Sequence, residues 1–272
     1  MAKPKIGIQL NPAFGQRTTE DLPGVLDDVK RAGFDGVEAG LLCDGDVAQA
    51  KRVLGDRGLV QWSLHTSFGP SYSIDEEIDF LNALGGKFIV VSGVGIQGSE
   101  GLRPYEEAAE SLNRAGEACK AAGLIFCHHN HGWEFEEFDG KSGIERLYEL
   151  TDPAVVKLCV DVFWALYGGR DPVAFLQEHL ARTAFVHLKD LRYIGPEPRR
   201  RGVLHPLVPR VPLNGEAEYV ELGRGEVDLP AIWRLLEPLN QLWVIYEQDE
   251  ASIPMSEAAT ISRKYLRDRL GI

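Results

Sequence analysis

Eight times along this chain a short apolar run is followed by an amphipathic segment, and that alternation restricts the fold more than any other feature. Lys5–Leu10, Gly36–Ala39, Leu59–His65, Lys87–Ser92, Leu124–His129, Val155–Asp161, Thr183–Leu188 and Leu242–Glu247 read as strands 1 to 8. Helical patterns separate them. Thr18 or Thr19 is placed to cap the first helix, whose Leu22, Val25, Leu26 and Val29 share one face, and Gly33 stops it. Asp171 followed by Pro172 opens the sixth, and Asp228 the seventh. Strands alternating with helices imply a parallel sheet covered by helices. Eight such units in 272 residues match a closed (β/α)₈ barrel, which takes about 250 residues. No glycine-rich turn of the dinucleotide-binding type follows strand 1, and no low-complexity linker divides the chain. We therefore expect one α/β domain, a TIM barrel spanning residues 1–272.

One segment breaks the rhythm. Tyr193 to Glu226 separates strand 7 from helix 7 and carries five prolines and the run Arg199-Arg200-Arg201. A loop this long in a compact domain is usually functional or disordered. It is a candidate lid or homo-oligomer contact, and its arginines are candidates for a phosphate or acidic group.

Charge and composition narrow the partners. A formal net charge of −12 argues against general nucleic-acid binding. No run approaches the roughly 18 apolar residues of a membrane span. Met1–Lys5 lacks the apolar region of a signal peptide. Cys43, Cys119, Cys127 and Cys159 are scattered without a CxxC pair, which fits a reducing cytoplasm, and Cys127 and Cys159, inside apolar runs, read as core thiols.

The polar residues that end the strands carry the chemistry. Val155–Val160 runs into Asp161, Thr183–Val186 into His187-Leu188-Lys189-Asp190, and Trp243–Tyr246 into Glu247. Leu124–Cys127 runs into His128, His129, Asn130 and His131, with Glu134 close behind. In a barrel these ends converge on the C-terminal face, where catalytic residues lie. Three carboxylates and an imidazole (Glu134, Asp161, His187 and Glu247) suit one divalent cation, with Mn²⁺ the first expectation and Mg²⁺, Co²⁺ or Zn²⁺ open. Taken singly, Asp161 also reads as a helix cap, Glu247 as a salt-bridge partner, and His187 as a satisfied polar group.

The chain resembles the xylose isomerase-like barrels of the sugar phosphate isomerase/epimerase superfamily, which also holds inosose dehydratases and endonuclease IV. The resemblance spans nearly the whole chain. It rests on Gly33–Glu38, the HHNHGWEFE run His128–Glu136, Val160-Asp161-Val162, HLKD at His187–Asp190, GRGEVDLPAI at Gly223–Ile232 and YEQDE at Tyr246–Glu250. It implies metal ligands at Glu134, Asp161, His187 and Glu247. Many members carry Glu-Asn-His at strand 5, where this chain has His129-Asn130-His131. The match of HNHxxEF to His129–Phe135 moves the expected ligand to Glu134, with Glu136 the rival. In an extended segment the two would share a face.

The expected reaction is metal-assisted proton abstraction beside the carbonyl of a small carbohydrate, through an ene-diolate. Glu134, Glu247 and His131 are candidate bases. His129 is a second candidate acid or base, and Lys189 a proton shuttle or oxyanion partner. His65, Glu38, Trp164 and Asn130 are candidate substrate contacts. Isomerase or epimerase activity leads, and a dehydratase or lyase shares its first half. An endonuclease IV-like repair enzyme and a non-catalytic sugar-binding barrel are the remaining classes.

Overall fold

The computed structural model describes residues 3–11, 13–69, 73–95, 101–194, 217–239 and 243–272. Eight parallel strands close into a barrel: β1 (Lys5–Gln9), β2 (Gly36–Ala39), β3 (Val60–Ser67), β4 (Phe88–Ser92), β5 (Ile125–His129), β6 (Val156–Asp161), β7 (Thr183–Leu188) and β8 (Trp243–Tyr246). The order around the barrel is that of the chain, and β1 closes on β8 with Lys5 opposite Trp243 and Ile8 opposite Tyr246.

Strand side chains alternate between two environments because successive Cβ atoms leave the sheet on opposite faces. Phe88, Val90, Cys127, Cys159, Phe185, Trp243 and Ile245 fill the barrel interior as one apolar cluster. Their strand neighbours, such as Val91, Phe126, Val160, Val186 and Val244, pack outward in the larger core. The pleat has a direct consequence at the strand ends. Cys127, Cys159, Phe185 and Ile245 point inward, so His129, Asp161, His187 and Glu247, two residues on, face inward one layer higher. Register sets them side by side: Asp161 pairs with His187, His129 with Cys159, and Ile245 with His187.

Helices cover the outside, and aspartates start several of them. Asp46, Asp171 and Asp228 accept backbone N–H groups at their N-termini, and Ser142 and Glu145 form a reciprocal capping box. One cap differs from expectation. Leu22–Ala32 is capped by Asp21, whose side chain accepts the Gly24 N–H, while Thr18 and Thr19 lie in a separate short turn of helix, Arg17–Glu20. Pro23 near the start of the longer helix favours entry at Asp21.

Asp190–Tyr193 pairs antiparallel with Ala217–Val220. Residues 195–216, which include the arginine run, lie outside the described residues. Asp190, 1% exposed, anchors this region. One carboxylate oxygen accepts the N–H groups of Leu191 and Val227 at 3.0 and 3.1 Å, and the other those of Gly223 and Gly225, both at 3.0 Å. The GRGEV segment wraps around this carboxylate. Gly223 has φ +82°, and a Cβ there would lie 2.1 Å from the Tyr265 ring. At Gly225 a Cβ would lie 2.2 Å from Asp190 Oδ1.

Candidate metal centre and active-site cavity

A cavity of about 750 Å³ opens at the C-terminal end of the barrel, within the range of small-molecule sites. His129 and Glu247 line it, and with Asp161 and His187 behind them they form a cluster whose ligand-type atoms all lie within 4.8 Å of one another. All four are buried. His129 Nε2 is 3.5 Å from Asp161 Oδ2 and 3.8 Å from Glu247 Oε2. His187 Nδ1 is 2.5 Å from Glu247 Oε2.

This set fits a divalent cation on an observation of its own. Asp161 Oδ2 and both ring nitrogens of His129 are buried without a hydrogen-bond partner. Buried polar atoms are ordinarily satisfied, and orphans converging from different strands are what a cation-binding cluster requires. Asp161 divides its carboxylate: Oδ1 accepts the Trp164 N–H at 2.8 Å and caps the helix Val162–Tyr167, leaving Oδ2 for the cluster. Two imidazoles and two carboxylates suit Zn²⁺, Mn²⁺ or Co²⁺.

The structure does not bring Glu134 into this group. A 3₁₀ turn at Trp133–Phe135 reverses the chain, so the segment is not extended and the shared-face reasoning for Glu134 and Glu136 fails. Glu134 is buried with Oε2 accepting the His131 N–H at 2.5 Å and Oε1 lying 3.2 Å from His128 Nε2. It organises its own loop. His129, the last residue of β5, stands in its place in the cluster. The signal was present in the sequence: His129 occupies the first position of the motif that reads Glu-Asn-His in many relatives.

Other expected site residues separate into those facing the cavity and those behind it. His65, His131, Trp164 and Glu247 line it. Asn130 does not; both ends of its amide bind the Asp161 backbone, Nδ2 donating to the carbonyl at 3.1 Å and Oδ1 accepting the N–H at 3.0 Å. It ties β5 to β6. Glu38 lies behind the cavity wall, where its Oε1 is 3.0 Å from His65 Nδ1 and 3.0 Å from His187 Nε2, while His65 Nε2 meets Ser92 Oγ at 2.9 Å. A carboxylate on the far side of a ligand imidazole sets its orientation. Glu38, His65 and His187 also form a ligand-type trio.

Lys189 is fully buried and does not reach the cavity. Its Nζ donates to Asp249 Oδ1 at 2.6 Å and to Glu247 Oε1 at 3.4 Å. The rings of Phe163, Trp164 and Tyr219 surround it at 5.0, 4.7 and 5.1 Å. It holds Glu247 in place from behind. Gln9, Asn11, Ser92, Tyr219 and Asp249 also line the cavity. Gln9 and Ser92 were detectable as polar residues ending β1 and β4, whereas Tyr219 reaches the site only through the hairpin.

Electrostatics distinguish the three histidines. Burial opposes the charged form of His129, but the neighbouring Asp161 and Glu247 carboxylates raise its pKa above the ordinary value. His187 is raised further, as Cys159 and Glu38 outweigh burial. His131 moves the other way: burial, reinforced by His129 and Lys189, holds its pKa well below the ordinary imidazole range. It is therefore a neutral base facing the cavity, with its ring stacked on Trp133 at 4.2 Å and Nδ1 unpartnered. Burial also raises the Glu247 carboxyl, but Lys189 and the two histidines hold it well below the usual carboxylate range.

The profile of the xylose isomerase-like TIM barrels matches residues 26–269. The chain belongs to that family. It is 29% identical over 288 residues to an inosose dehydratase of Clostridium beijerinckii, covering 93% of this chain and 94% of that one. Among solved structures it resembles a sugar phosphate isomerase/epimerase from Parabacteroides distasonis, with a TM-score of 0.76, 23% identity and coverage of 99% and 95% of the two chains. The IOLI protein, solved with a bound zinc atom, superposes with a TM-score of 0.68 at 14% identity, over 97% of each chain. As a family member this barrel is an enzyme scaffold, and no helix among its described residues is long and apolar enough to cross a membrane.

Proposed function

We propose that this protein eliminates water from a polyhydroxylated ketone by abstracting the proton next to the carbonyl. The observation that carries the reading is the pairing of a four-ligand cluster, which meets the cavity at His129 and Glu247, with an independent, neutral imidazole, His131, in the cavity wall. His129, Asp161, His187 and Glu247 would hold a divalent cation. When bound, it supplies Lewis-acid stabilisation of the negative charge that develops on a carbonyl oxygen.

The remaining chemistry belongs to this chain's side chains. His131 accepts a proton at its unpartnered Nδ1 and, once protonated, can return one to a departing hydroxyl. Glu38 and Lys189 hold His187 and Glu247 in place from behind. Trp133 and Trp164 wall the cavity beside His131 and keep bulk water from the enolised carbon. Elimination needs a base for the carbon acid and an acid for the leaving group, and a histidine outside the ligand set meets both needs. The curated relatives, named inosose dehydratases, support elimination.

Epimerisation or isomerisation is the second reading, favoured by the fold neighbours. It would start from the same proton transfer and return the proton to carbon. Two measurements separate them. The metal-loaded protein is incubated with keto-inositols and neutral ketoses in deuterium oxide, and products are read by mass spectrometry. Loss of water supports the dehydratase; deuterium uptake without loss of mass as water supports the epimerase. No reaction with either set, in protein of full metal content, would refute both.

A further inference from the structure

Ser92 and His65 take no part in the elimination, yet they stand in a chemically capable arrangement. Glu38, His65 and Ser92 come from the consecutive strands β2, β3 and β4. His65 Nδ1 lies 3.0 Å from Glu38 Oε1, and His65 Nε2 lies 2.9 Å from Ser92 Oγ. Both separations fall within the reach of a nucleophile–base–orienter set, roughly 2.6–3.2 Å. Glu38 is fully buried, whereas His65 and Ser92 line the cavity. Ser92 ends β4, and Gly93 turns the chain directly after it with φ +88°.

The neighbours of Nδ1 assign the histidine's tautomer. Glu38 Oε1 and Gln9 Nε2 both lie 3.0 Å from it. An ionised carboxylate has only acceptors, so Nδ1 carries the proton and donates to Glu38. The Gln9 amide has its own acceptor in Glu38 Oε1 at 3.1 Å. Nε2 is then the unprotonated nitrogen, and the Ser92 hydroxyl must donate to it. Burial lowers the His65 pKa below the ordinary imidazole value, which favours the neutral base.

We propose that Ser92 is a nucleophile activated by His65, with Glu38 as the positioning residue behind it, and that this wall of the cavity cleaves small carboxylic esters. Serine, histidine and carboxylate in this order perform acyl transfer on unrelated folds, where geometry rather than sequence position identifies them. Ser92 Oγ bonds to the acyl carbon as the ester C–O bond breaks. The hydroxyl proton passes to His65 Nε2 and on to the leaving alkoxide. Water, deprotonated by the same nitrogen, then attacks the acyl-serine and restores Ser92, so one water is consumed per acid and alcohol released. Phe68, whose N–H donates to the Ser92 carbonyl at 2.7 Å, lines the cavity with Phe14 and offers an apolar face to the acyl chain. Asn11, in the same lining, offers an amide donor to the oxyanion.

The metal-loaded protein is treated with a fluorophosphonate, which phosphonylates base-activated serines, and the adduct is mapped by peptide mass spectrometry. Hydrolysis of p-nitrophenyl acetate is followed by absorbance. The expected result is a single adduct at Ser92, with labelling and hydrolysis lost in Ser92→Ala and lowered about 10²–10⁴-fold in His65→Gln. Glu38 also faces His187 Nε2 at 3.0 Å, so the variants spare it. Metal content and circular dichroism establish that each variant is folded, and the adduct on the unaltered protein tests the serine without any variant. A hydrogen bond that only orients His65 would leave Ser92 unlabelled. An unlabelled Ser92, an absence of ester hydrolysis, or a His65→Gln protein labelled at the wild-type rate would overturn the proposal. The proposal does not rest on the elimination, whose success or failure is scored separately by water loss.

Discussion

Replacing Asp190 with asparagine tests whether one buried carboxylate organises the chain beyond β7. In the native protein its two oxygens accept four backbone N–H groups, from Leu191, Val227, Gly223 and Gly225, at 3.0–3.1 Å. Asparagine keeps one oxygen. Its amide nitrogen must face two of those N–H groups, donor against donor, wherever the side chain is turned. Each buried donor left unsatisfied costs about 1–3 kcal/mol, so the substitution is expected to destabilise by about 2–6 kcal/mol. At roughly 2–4 °C per kcal/mol for a chain approaching this size, the melting temperature should fall by about 4–24 °C. Thermal unfolding followed by circular dichroism measures the change. Gly225→Ala drives a methyl group to within 2.2 Å of Asp190 Oδ1 and 2.3 Å of the Leu191 carbonyl and should destabilise by a similar mechanism. Because both changes break the same contact, the double variant should lose less than the sum of the two. The hairpin residue Tyr219 lines the cavity, so substrate affinity should weaken in parallel. An Asp190→Asn protein within about 0.5 kcal/mol of wild type, the ordinary range for a surface substitution, would refute the account, as would strict additivity with Gly225→Ala.

Three further outcomes follow from the site. His129→Ala and Glu247→Gln should lose stoichiometric metal in elemental analysis, while Glu134→Gln should retain it, because a glutamine oxygen still accepts the His131 N–H. Metal loss in Glu134→Gln with retention in His129→Ala would restore Glu134 as the ligand. Lys189→Met should destabilise by about 3–5 kcal/mol in denaturant unfolding, since it strands Asp249 and Glu247 without their cation; a neutral effect would show that the pair is dispensable. Chelation with EDTA should abolish activity and lower the melting temperature, and adding metal at about 100 times its dissociation constant should restore about 2.7 kcal/mol of stability. An unchanged melting curve after verified metal removal would contradict binding to the folded cluster.

The barrel was legible in the sequence because period-2 and period-3.6 hydrophobic patterns are local, and eight units of strand and helix admit few closed arrangements. The ends of β2 and β7 fall at Ala39 and Leu188 as read, where Gly40 and the polar Lys189 follow. Three of the four cluster residues, Asp161, His187 and Glu247, were likewise readable as polar side chains at or just beyond strand ends. The fourth was not settled by spacing. His129 and Glu134 are both near the end of β5, and only the 3₁₀ turn at Trp133–Phe135 decides that one faces the cluster while the other folds back on its own loop. Nor could sequence tell that Asn130 spends its amide on the Asp161 backbone, or that Lys189 is enclosed by rings from the helix after β6 and from the hairpin. Those roles depend on partners between 25 and 60 residues away along the chain. Local patterning determined which residues could end strands together at one face of a barrel. Tertiary packing decided which of them meet one another and which are held by neighbours.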